Sequence, residues 1–461
     1  MLGEEIAGKF RTINQEFDHV FSPKFNGYNA HFGKIEGVVN IGPVLPPQRK
    51  GRVPQYSRNR LEELQVKCDE LEAMGVLARP EDVGVTVEYL NPSFLVKKPS
   101  GDFRLVTAFT EVAKYSKPQP SLMPNVDSTL RQIARWKYII KSDLQKAFYQ
   151  IPLSKESMKY CGIATPFKGI RVYTRCAMGM PGSETALEEL MSRVLGDLIQ
   201  AGYVAKIADD LYVGSEETLG LVSNWKDVLV QLDLSDLSVS APKTVIAPLS
   251  TVLLGWKWQM GSLSATSHKI STLATASQPT NVKGLRSFLG AYKYLARVIP
   301  QCSSVLAPLE ECVAGKVSTE KITWSSELCD HFNKAKSHLE NAKTITIAKK
   351  SDKLWVVTDA AQKHAGIGAT MFLTRGKDRF LGGYYSAKLN KRQLDWLPCE
   401  LEALGITAAV SHFSPYIVQS QERATVLTDS KPCVEAYRKM SRGEFSLSAR
   451  VTTYLSTVSR Y

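Results

Sequence analysis

The sequence lacks the features that mark membrane and secreted proteins. It has no uninterrupted apolar run of about 18 residues, which is the length a membrane-spanning helix needs. Its amino end, MLGEEIAGKFRT, carries charges where a signal peptide has an apolar stretch. It also has no internal repeat, low-complexity tract or heptad array. We therefore expect a soluble, cytoplasmic protein with no membrane contact.

Cysteine is present but is not arranged for metal or disulfide chemistry. The eight cysteines are scattered, with no C-x-x-C motif and no Cys/His cluster at zinc-ligand spacing. This pattern is typical of reduced, mostly buried thiols of an intracellular protein. It argues against a zinc module and against a disulfide framework.

Acidic residues are in deficit. The 461 residues include 58 Lys and Arg against 45 Asp and Glu, for a formal net charge of +13. Such a balance favours an anionic partner, nucleic acid first and an anionic membrane surface second. A basic surface that serves only solubility is the alternative. At about 150 residues per domain, the length predicts about three domains.

Several segments have clear local patterns. Residues 41–56 are rich in Pro, Gly and basic residues and predict an extended segment. The apolar spacing over 57–77 predicts an amphipathic helix that begins at Ser57 and ends at Gly75. Residues 94–109 predict a hairpin with a basic turn. Further along, the patterns predict a strand over 138–144, helices over 183–202, 281–300 and 399–413, and a boundary in the Ser/Thr-rich stretch 261–284.

Two adjacent aspartates lie between β-prone runs in 202-GYVAKIADDLYVGS-215. Asp209 and Asp210 fit an ordinary turn, because aspartate tolerates turn geometry well. They also fit a metal site, since a divalent cation neutralises carboxylates that otherwise repel each other. A third carboxylate, Asp143, ends the apolar run of 138-YIIKSD-143 and favours the metal site.

Four motifs in order carry a resemblance to a known family. They are 142-SDLQKAFYQIPL-153, 177-AMGMPGSETALEELM-191, 207-IADDLYVG-214 and 240-SAPKTVIAPLSTVLLGWKW-258. Together they resemble the polymerase motifs of retroelement reverse transcriptases, in particular the pol polyprotein of gypsy-type LTR retrotransposons. The resemblance implies an α+β right-hand polymerase with fingers, palm and thumb, followed by an α/β ribonuclease H-like domain.

The resemblance also implies a two-metal phosphoryl-transfer site with magnesium. Asp143 and Asp209 are the expected bridging ligands, and Asp210 is a secondary ligand or an electrostatic support. Phe148 matches the aromatic steric gate that excludes the ribose 2′-hydroxyl, with a core aromatic as the alternative. The other expected nucleotide-binding residues are Lys97, Lys98, Arg104, Lys146, Ala147, Gly179 and Lys243, the last of which resembles the lysine that acts on the departing pyrophosphate.

The segment 254-LGWKW-258 resembles the primer grip, with Leu254, Gly255 and Trp256 as its expected residues; a hydrophobic hairpin explains it nearly as well. The chain departs from the family pattern in three places. Ile207 stands where Tyr or Phe is usual, Met178 stands where Phe or Gln is usual, and residues 107–110 read TAFT where V-D-Y-R is usual. The expected metal ligands are all present.

A second acidic constellation lies in the tail. Asp359 ends a strand-like run, Glu400 begins a helix and Asp429 ends another strand-like run. This arrangement resembles a ribonuclease H domain in which three acids hold two magnesium ions. Glu402 is a rival for the helix position. Because 452–461 resembles the final strand, we expect a C-terminally truncated domain with incomplete activity.

The sequence thus predicts four regions: an extended segment over 1–56, fingers and palm over 57–260, thumb and connection over 261–350, and a ribonuclease H-like domain over 351–461. The predicted function is an RNA-directed DNA polymerase acting on an RNA or DNA template with primer and dNTPs, located in the cytoplasm or in particles of the element. The alternative is a catalytically decayed, nucleic-acid-binding remnant of a retroelement. The sequence leaves the oligomeric state open.

Overall fold

The structure is a computed structural model that describes residues 2–24, 26–361, 365–444 and 448–461. Its internal contacts divide the chain into two units, Met1–Pro248 and Leu249–Tyr461, which are described in turn. Within the described ranges no helix combines the length and the apolar character needed to cross a membrane.

The first unit combines helices with three groups of paired strands. Its helices are α1 (Glu4–Glu16), α2 (Arg58–Ala73), α3 (Thr110–Tyr115), α4 (Val126–Ala134), α5 (Lys155–Met158), α6 (Ser183–Ala201) and α7 (Thr218–Leu234). Its strands are β1 (Leu77–Ala78), β2 (Leu90–Asn91), β3 (Ser93–Lys97), β4 (Phe103–Thr107), β5 (Tyr138–Asp143), β6 (Gly162–Ala164), β7 (Ile170–Tyr173), β8 (Val204–Ile207), β9 (Asp210–Ser215) and β10 (Val245–Ile246).

The predicted palm is an antiparallel sheet in the order β10-β5-β9-β8. Its two central strands, β5 and β9, have consecutive buried residues, so both faces of the sheet are covered there. Helices α6 and α7 contribute to one core with these strands. The indole of Trp136 lies so close to Gly214 that an added Cβ would be 1.8 Å from the ring. The sheet is therefore a rigid base for residues at the strand ends.

The predicted fingers contain a sheet in the order β1-β7-β6-β2 and the separate hairpin β3–β4. Helix α2 buries Leu64, Cys68 and Leu71, which follow the predicted apolar spacing. Gly75 has φ +74°, a left-handed conformation that ends the helix at little steric cost. The helix over 57–77 and the hairpin over 94–109 are thus confirmed as elements.

The prediction of an extended segment over all of residues 1–56 is wrong in its first part. Residues Glu4–Glu16 form α1, which buries Phe10 and Ile13. The indole of Trp225 on α7 donates a hydrogen bond of 2.9 Å to Asn14. Burial of one apolar face against α7 stabilises this helix, and the sequence alone did not reveal that partner. Residues 41–56 contain neither helix nor strand, as predicted.

The second unit begins with strands and ends with helices. Its strands are β11 (Thr251–Leu253), β12 (Trp256–Gln259), β13 (Ser262–Ala265), β14 (Ile345–Thr346), β15 (Lys353–Ala361), β16 (Gly366–Arg375), β17 (Asp378–Lys388) and β18 (Thr425–Leu427). Its helices are α8 (Ser267–Ala274), α9 (Val282–Lys293), α10 (Cys302–Val313), α11 (Ser326–His338), α12 (Pro398–Ile417), α13 (Lys431–Ser441) and α14 (Ala449–Val458).

The internal contacts divide the chain at Pro248/Leu249, before the predicted boundary at 260/261, which stays a prediction. Strands β11 and β12 form a hairpin, β12 pairs with β13, and β13 pairs with β14. These strands share one sheet with residues far along the chain, so they belong to the second unit. The Ser/Thr-rich stretch that suggested a boundary forms β13 and α8.

The tail contains a sheet in the order β17-β16-β15-β18, in which β15 and β18 are parallel. Helix α12 packs against its buried face. The prediction of a final strand over 452–461 is wrong, because Ala449–Val458 form α14. The Ser448 hydroxyl accepts a hydrogen bond from the Val451 amide and begins the helix, while Val451 and Leu455 are buried. Burial of one helical face outweighed the β-propensity of its threonines and valines.

Candidate active sites

The paired aspartates lie at a two-residue turn between β8 and β9. Ile207 and Asp210 are opposite each other in the ladder, so Ala208 and Asp209 form the turn. Ala208 has φ +52°, a left-handed conformation that costs a residue with a side chain about 1 kcal/mol or more. The carbonyl of Asp209 accepts a hydrogen bond of 3.2 Å from the Leu144 amide. The turn is therefore strained and fixed to β5.

Asp143 faces this turn. In the antiparallel pair of β5 and β9, Asp143 is directly opposite Asp210, and side chains of opposed residues point to the same face of a sheet. Burial raises the pKa of Asp210, and the carboxylates of Asp209 and Asp143 raise it further, while Lys141 opposes them. The three acids separated in the sequence are thus brought together.

Asp143 is buried, and its two oxygens differ. Oδ2 accepts a hydrogen bond of 2.7 Å from the Lys243 ammonium. Oδ1 is buried and has no hydrogen-bond partner among the described residues. A buried carboxylate oxygen without a partner is costly, so a missing positive ligand is the simplest completion of this site.

Lys243 lies in a short 3-10 helix, Ala241–Lys243, beside the acids. The hydrogen bond to Asp143 raises the pKa of Lys243, and the charges of Asp143, Asp209 and Asp210 add to this effect. The predicted pyrophosphate lysine therefore lies within reach of the acidic site and stays protonated there.

The donor set suits a hard divalent cation, since magnesium prefers carboxylate oxygens. In the described ranges, no three His, Cys, Asp or Glu side chains are close enough to form a metal cluster. Asp143 is engaged by Lys243. The carboxylates of Asp143, Asp209 and Asp210 and the unpartnered Oδ1 of Asp143 fit magnesium by the chemistry of their donor atoms.

The predicted nucleotide-binding residues after β5 form a 3-10 helix, Ala147–Gln150. Lys146 precedes it with φ +46°. Burial lowers the pKa of Lys146, and the charges of Lys98 and Lys67 lower it further, while Glu70 opposes them. The charge of Lys98 thus reaches Lys146, while Lys67 forms ion pairs with Glu70 at 3.3 Å and Asp102 at 3.7 Å.

Phe148 is half-buried and packs against the palm core, so part of its ring is accessible and part is core. Lys97 and Arg104 are exposed on the hairpin β3–β4, and Lys98 also forms an ion pair of 3.3 Å with Asp102. Gly179 has φ +78° and lines a cleft of about 510 Å³ between α6 and residues 113–123. A nucleotide or template base has room there.

The predicted primer grip is a tight hairpin turn. Leu254 and Gly255 both have φ above zero and connect β11 to β12, as a type I′ turn requires. The hydroxyl of Tyr294 donates a hydrogen bond of 2.7 Å to the Leu254 carbonyl. Trp256, however, is fully buried and stacks on Tyr294 at 5.2 Å between ring centroids.

The prediction that Trp256 contacts a primer is therefore wrong. A side chain with no exposed surface cannot touch a nucleic acid, and the ring of Trp256 instead supports the turn from below. Leu254 and Gly255 at the turn stay the candidates for primer contact. Sequence alone could not separate them, because all three residues are adjacent.

In the tail, Asp359 and Asp429 are neighbours through the parallel pair of β15 and β18. Val357 is opposite Leu427, each aspartate lies two residues further along its segment, and the charges of both reach Glu402. The carboxylate of Glu402 on α12 accepts a hydrogen bond from the Ala360 amide. Burial raises the pKa of Glu402 to about 7, and the charges of Asp429 and Asp359 contribute.

Glu402, the rival for the helix position, is therefore the helix glutamate that the strand acids influence, and the assignment of the catalytic helix acid to Glu400 or Glu402 stays a prediction. The carboxylate of Glu400 accepts a hydrogen bond of 3.1 Å from the Leu397 amide at the start of α12 and one of 2.9 Å from Arg450. Side chains two residues apart on an α-helix point in directions about 200° apart around the helix axis. Glu402 faces the strand acids, and its Oε2 is buried with no hydrogen-bond partner in the described residues.

Comparisons with known proteins show which families the two parts of the chain resemble. Residues 96–258 match the family model for reverse transcriptase (RNA-dependent DNA polymerase). Residues 324–426 match the model for the RNase H-like domain found in reverse transcriptase. The transposon Tf2-3 polyprotein of Schizosaccharomyces pombe is 25% identical over 365 residues, and the Tf2-7 polyprotein is 24% identical. These alignments cover 79% of the chain, which spans only 27% of the length of those relatives.

Solved structures share the fold. A foamy viral protease-reverse transcriptase dRH in complex with double-stranded DNA has a TM-score of 0.80 at 19% identity, with 99% of this chain and 78% of that chain covered. The foamy viral protease-reverse transcriptase in complex with an RNA/DNA hybrid has a TM-score of 0.70, with 99% and 59% covered. The predicted fold class is confirmed. One segment of the chain is thus similar to reverse transcriptases, a later segment is similar to the RNase H-like domain found in reverse transcriptase, and most of the chain is similar to transposon polyproteins.

Proposed function

We propose that the chain is an RNA-directed DNA polymerase that extends a primer along an RNA or DNA template with dNTPs and magnesium. The observation that carries the proposal is the register of β5 and β9, which puts Asp143 opposite Asp210 beside the turn of Asp209. The orphaned Oδ1 of Asp143 supports a cation at this point. The reverse transcriptase family match supports the reaction.

Each residue has a chemical role in this proposal. Asp143 and Asp209 would hold two magnesium ions, with Asp210 as a support. When bound, the ions would neutralise triphosphate charge and lower the pKa of the primer 3′-hydroxyl. The protonated Lys243 screens the departing pyrophosphate, since its ammonium already lies at the acidic site.

The nucleotide is held by groups on the fingers side of the palm. The amides of Lys146 and Ala147 face the triphosphate, and Lys98, Lys97 and Arg104 neutralise its oxygens. The accessible part of the Phe148 ring occupies the space of a ribose 2′-hydroxyl and so selects deoxynucleotides. Leu254 and Gly255 position the primer end.

Primer extension with magnesium tests the polymerase. Asp209→Asn removes one negative ligand at unchanged size and should abolish extension. Asp197→Asn is the matched control, because Asp197 is exposed on α6 and belongs to neither site. Equal product from Asp209→Asn and the parent would show that these acids do not catalyse the reaction.

Hydrolysis of the RNA strand of an RNA/DNA hybrid is a second candidate function. Asp359, Asp429 and Glu402 converge, and the buried Oε2 of Glu402 lacks a partner among the described residues. Their carboxylate oxygens suit magnesium, as do the carboxylate oxygens of the palm aspartates. Glu402→Gln should remove hybrid degradation, whereas Glu400→Gln should leave it measurable.

A catalytically decayed nucleic-acid-binding protein is the competing interpretation. It predicts template–primer binding without extension by the parent chain. Binding itself is testable through salt, because release of counterions makes the logarithm of affinity fall linearly with the logarithm of salt concentration. An affinity independent of salt would contradict assignment of the +13 net charge to nucleic acid.

A further inference from the structure

A buried ion pair lies next to the turn formed by Ala208 and Asp209. Glu188 on α6 and Lys206 on β8 are 3% and 7% exposed, and the Lys206 ammonium donates to Oε2 of Glu188. Removing two charges from water is costly, and a buried ion pair is often no more stabilising than well-packed apolar residues of similar volume. Stability of the fold alone is therefore a weak reason for charges at this place.

The second oxygen of Glu188 has a different partner. Oε1 accepts a hydrogen bond of 3.1 Å from the backbone amide of Ala208. Ala208 is the left-handed residue of the turn, and it immediately precedes Asp209. One carboxylate thus binds a counter-ion with one oxygen and the catalytic turn with the other.

The conformation of Ala208 determines where Asp209 points. A left-handed alanine is less stable than a right-handed one by about 1 kcal/mol or more, so the turn relaxes unless external contacts hold it. Two contacts do so: the amide of Ala208 is held by Glu188, and the carbonyl of Asp209 is held by the Leu144 amide. The first of these depends on a side chain, so it can be removed by mutation.

The charge of Glu188 also has a local explanation. A carboxylate accepts a hydrogen bond from an amide more strongly than a neutral group does. Lys206 precedes the turn on the same strand, and its ammonium compensates that charge through the ion pair with Glu188. In our interpretation Lys206 affects the turn only through Glu188 and does not act directly on Asp209 or Asp210.

We propose that Glu188 is a positioning residue, which with Lys206 as its counter-ion holds the left-handed turn at Ala208 and so directs Asp209 towards Asp143. The role in catalysis rests on the proposed polymerase function. The contact with the turn does not, and it can be measured separately.

Two double variants separate the hydrogen bond from the ion pair. Glu188→Gln with Lys206→Met removes both charges but keeps an oxygen acceptor for the Ala208 amide. Glu188→Met with Lys206→Met removes both charges and the acceptor at similar volume. Both avoid an unpaired buried charge, so both should fold, with melting temperatures close to each other.

The expected difference lies in turnover. The Gln/Met variant should keep the primer-extension kcat within about threefold of the parent. The Met/Met variant should lose about tenfold or more in kcat, the equivalent of one hydrogen bond. Its affinity for template–primer should be unchanged, and it should need more magnesium for half-maximal rate. A merely structural role predicts the same kcat and the same magnesium dependence for both variants.

Hydrogen exchange of the Ala208 amide without metal or substrate provides the independent readout. Exchange should be slow in the parent and in the Gln/Met variant and clearly faster in the Met/Met variant. Equal exchange and equal kcat in the two variants would overturn the proposal. A parent chain without primer extension would overturn the polymerase function instead, while the exchange rates still decide whether Glu188 holds the turn.

Discussion

Glu400 and Glu402 lie on the same helix, and their replacement by glutamine should change stability in opposite directions. Glu402 has a folded pKa of about 7 against an ordinary value of 4.5, because of burial and of the charges of Asp429 and Asp359. Above pH 7 Glu402 is therefore ionised in a folded environment that disfavours its charge, and this destabilises the folded state. Glu402→Gln removes that penalty.

The magnitude follows from linkage. A difference of 2.5 pKa units corresponds to about 3.4 kcal/mol at 1.36 kcal/mol per unit. Glu402 is only half-buried, so solvent screening reduces this figure to about 1–2 kcal/mol. The folded pKa is raised, so the penalty is full above pH 7, decreases as the pH falls and is gone below pH 4.5.

Glu400→Gln should act the other way. It removes the ion pair with Arg450 and the negative charge that accepts the Leu397 amide at the start of α12. The expected loss is about 0.5–1 kcal/mol at pH 8. Asp359→Asn is a further matched probe, since removal of that charge lowers the pKa of Glu402 and should stabilise the folded state at pH 8.

Native-state hydrogen exchange of the α12 amides in the full chain without magnesium is the assay, because it reports the local free energy of opening. At pH 8 the Glu402→Gln variant should exchange more slowly than the parent, and the Glu400→Gln variant faster. At pH 5 most of the gain from Glu402→Gln should be lost. Destabilisation by both variants, or a gain from Glu402→Gln that is independent of pH, would refute the convergence of Glu402 with the strand acids.

Three further predictions concern other residues. Phe148→Val should admit ribonucleotides in a primer-extension assay with mixed substrates; unchanged sugar discrimination would place the gate elsewhere. Gly255→Ala should lower the melting temperature, because Gly255 has φ +82° and the added Cβ would lie 2.6 Å from the Lys269 ammonium. Leu254→Asn should raise the melting temperature, since asparagine suits a type I′ turn. A Gly255→Ala variant with an unchanged melting temperature would contradict the turn geometry. Asp143→Asn removes the partner that raises the pKa of Lys243, so Lys243 should react faster with an amine-acylating reagent at pH 9, and unaltered reactivity would show that the pair does not form.

Local patterns predicted most of the elements that position the palm site. The strand ending at Asp143 and the helix after Gly182 appear with nearly the predicted bounds. Their signals are short-range: apolar runs, turn residues and caps. The convergence of Asp143 with Asp209 and Asp210 came from the family resemblance and agrees with the register of β5 and β9.

The errors have a common origin in long-range packing. α1 depends on α7 for its buried face, and α14 depends on α12. Trp256 was assigned by its place in a motif, but Tyr294 and Arg297 of the second unit cover its ring. None of these partners is adjacent in the sequence, so no window of local pattern contains them.

By itself the sequence determined which side chains carry chemistry and which strands, turns and helices present them, because those choices depend on residue type and on neighbours within a few positions. Only the tertiary structure decided which of two glutamates on α12 faces Asp359, that Asp143 has an oxygen without a partner in the described residues, and that Glu188 bonds to the turn before Asp209. These facts depend on helix rotation and strand register, which are set when distant apolar faces are buried against each other.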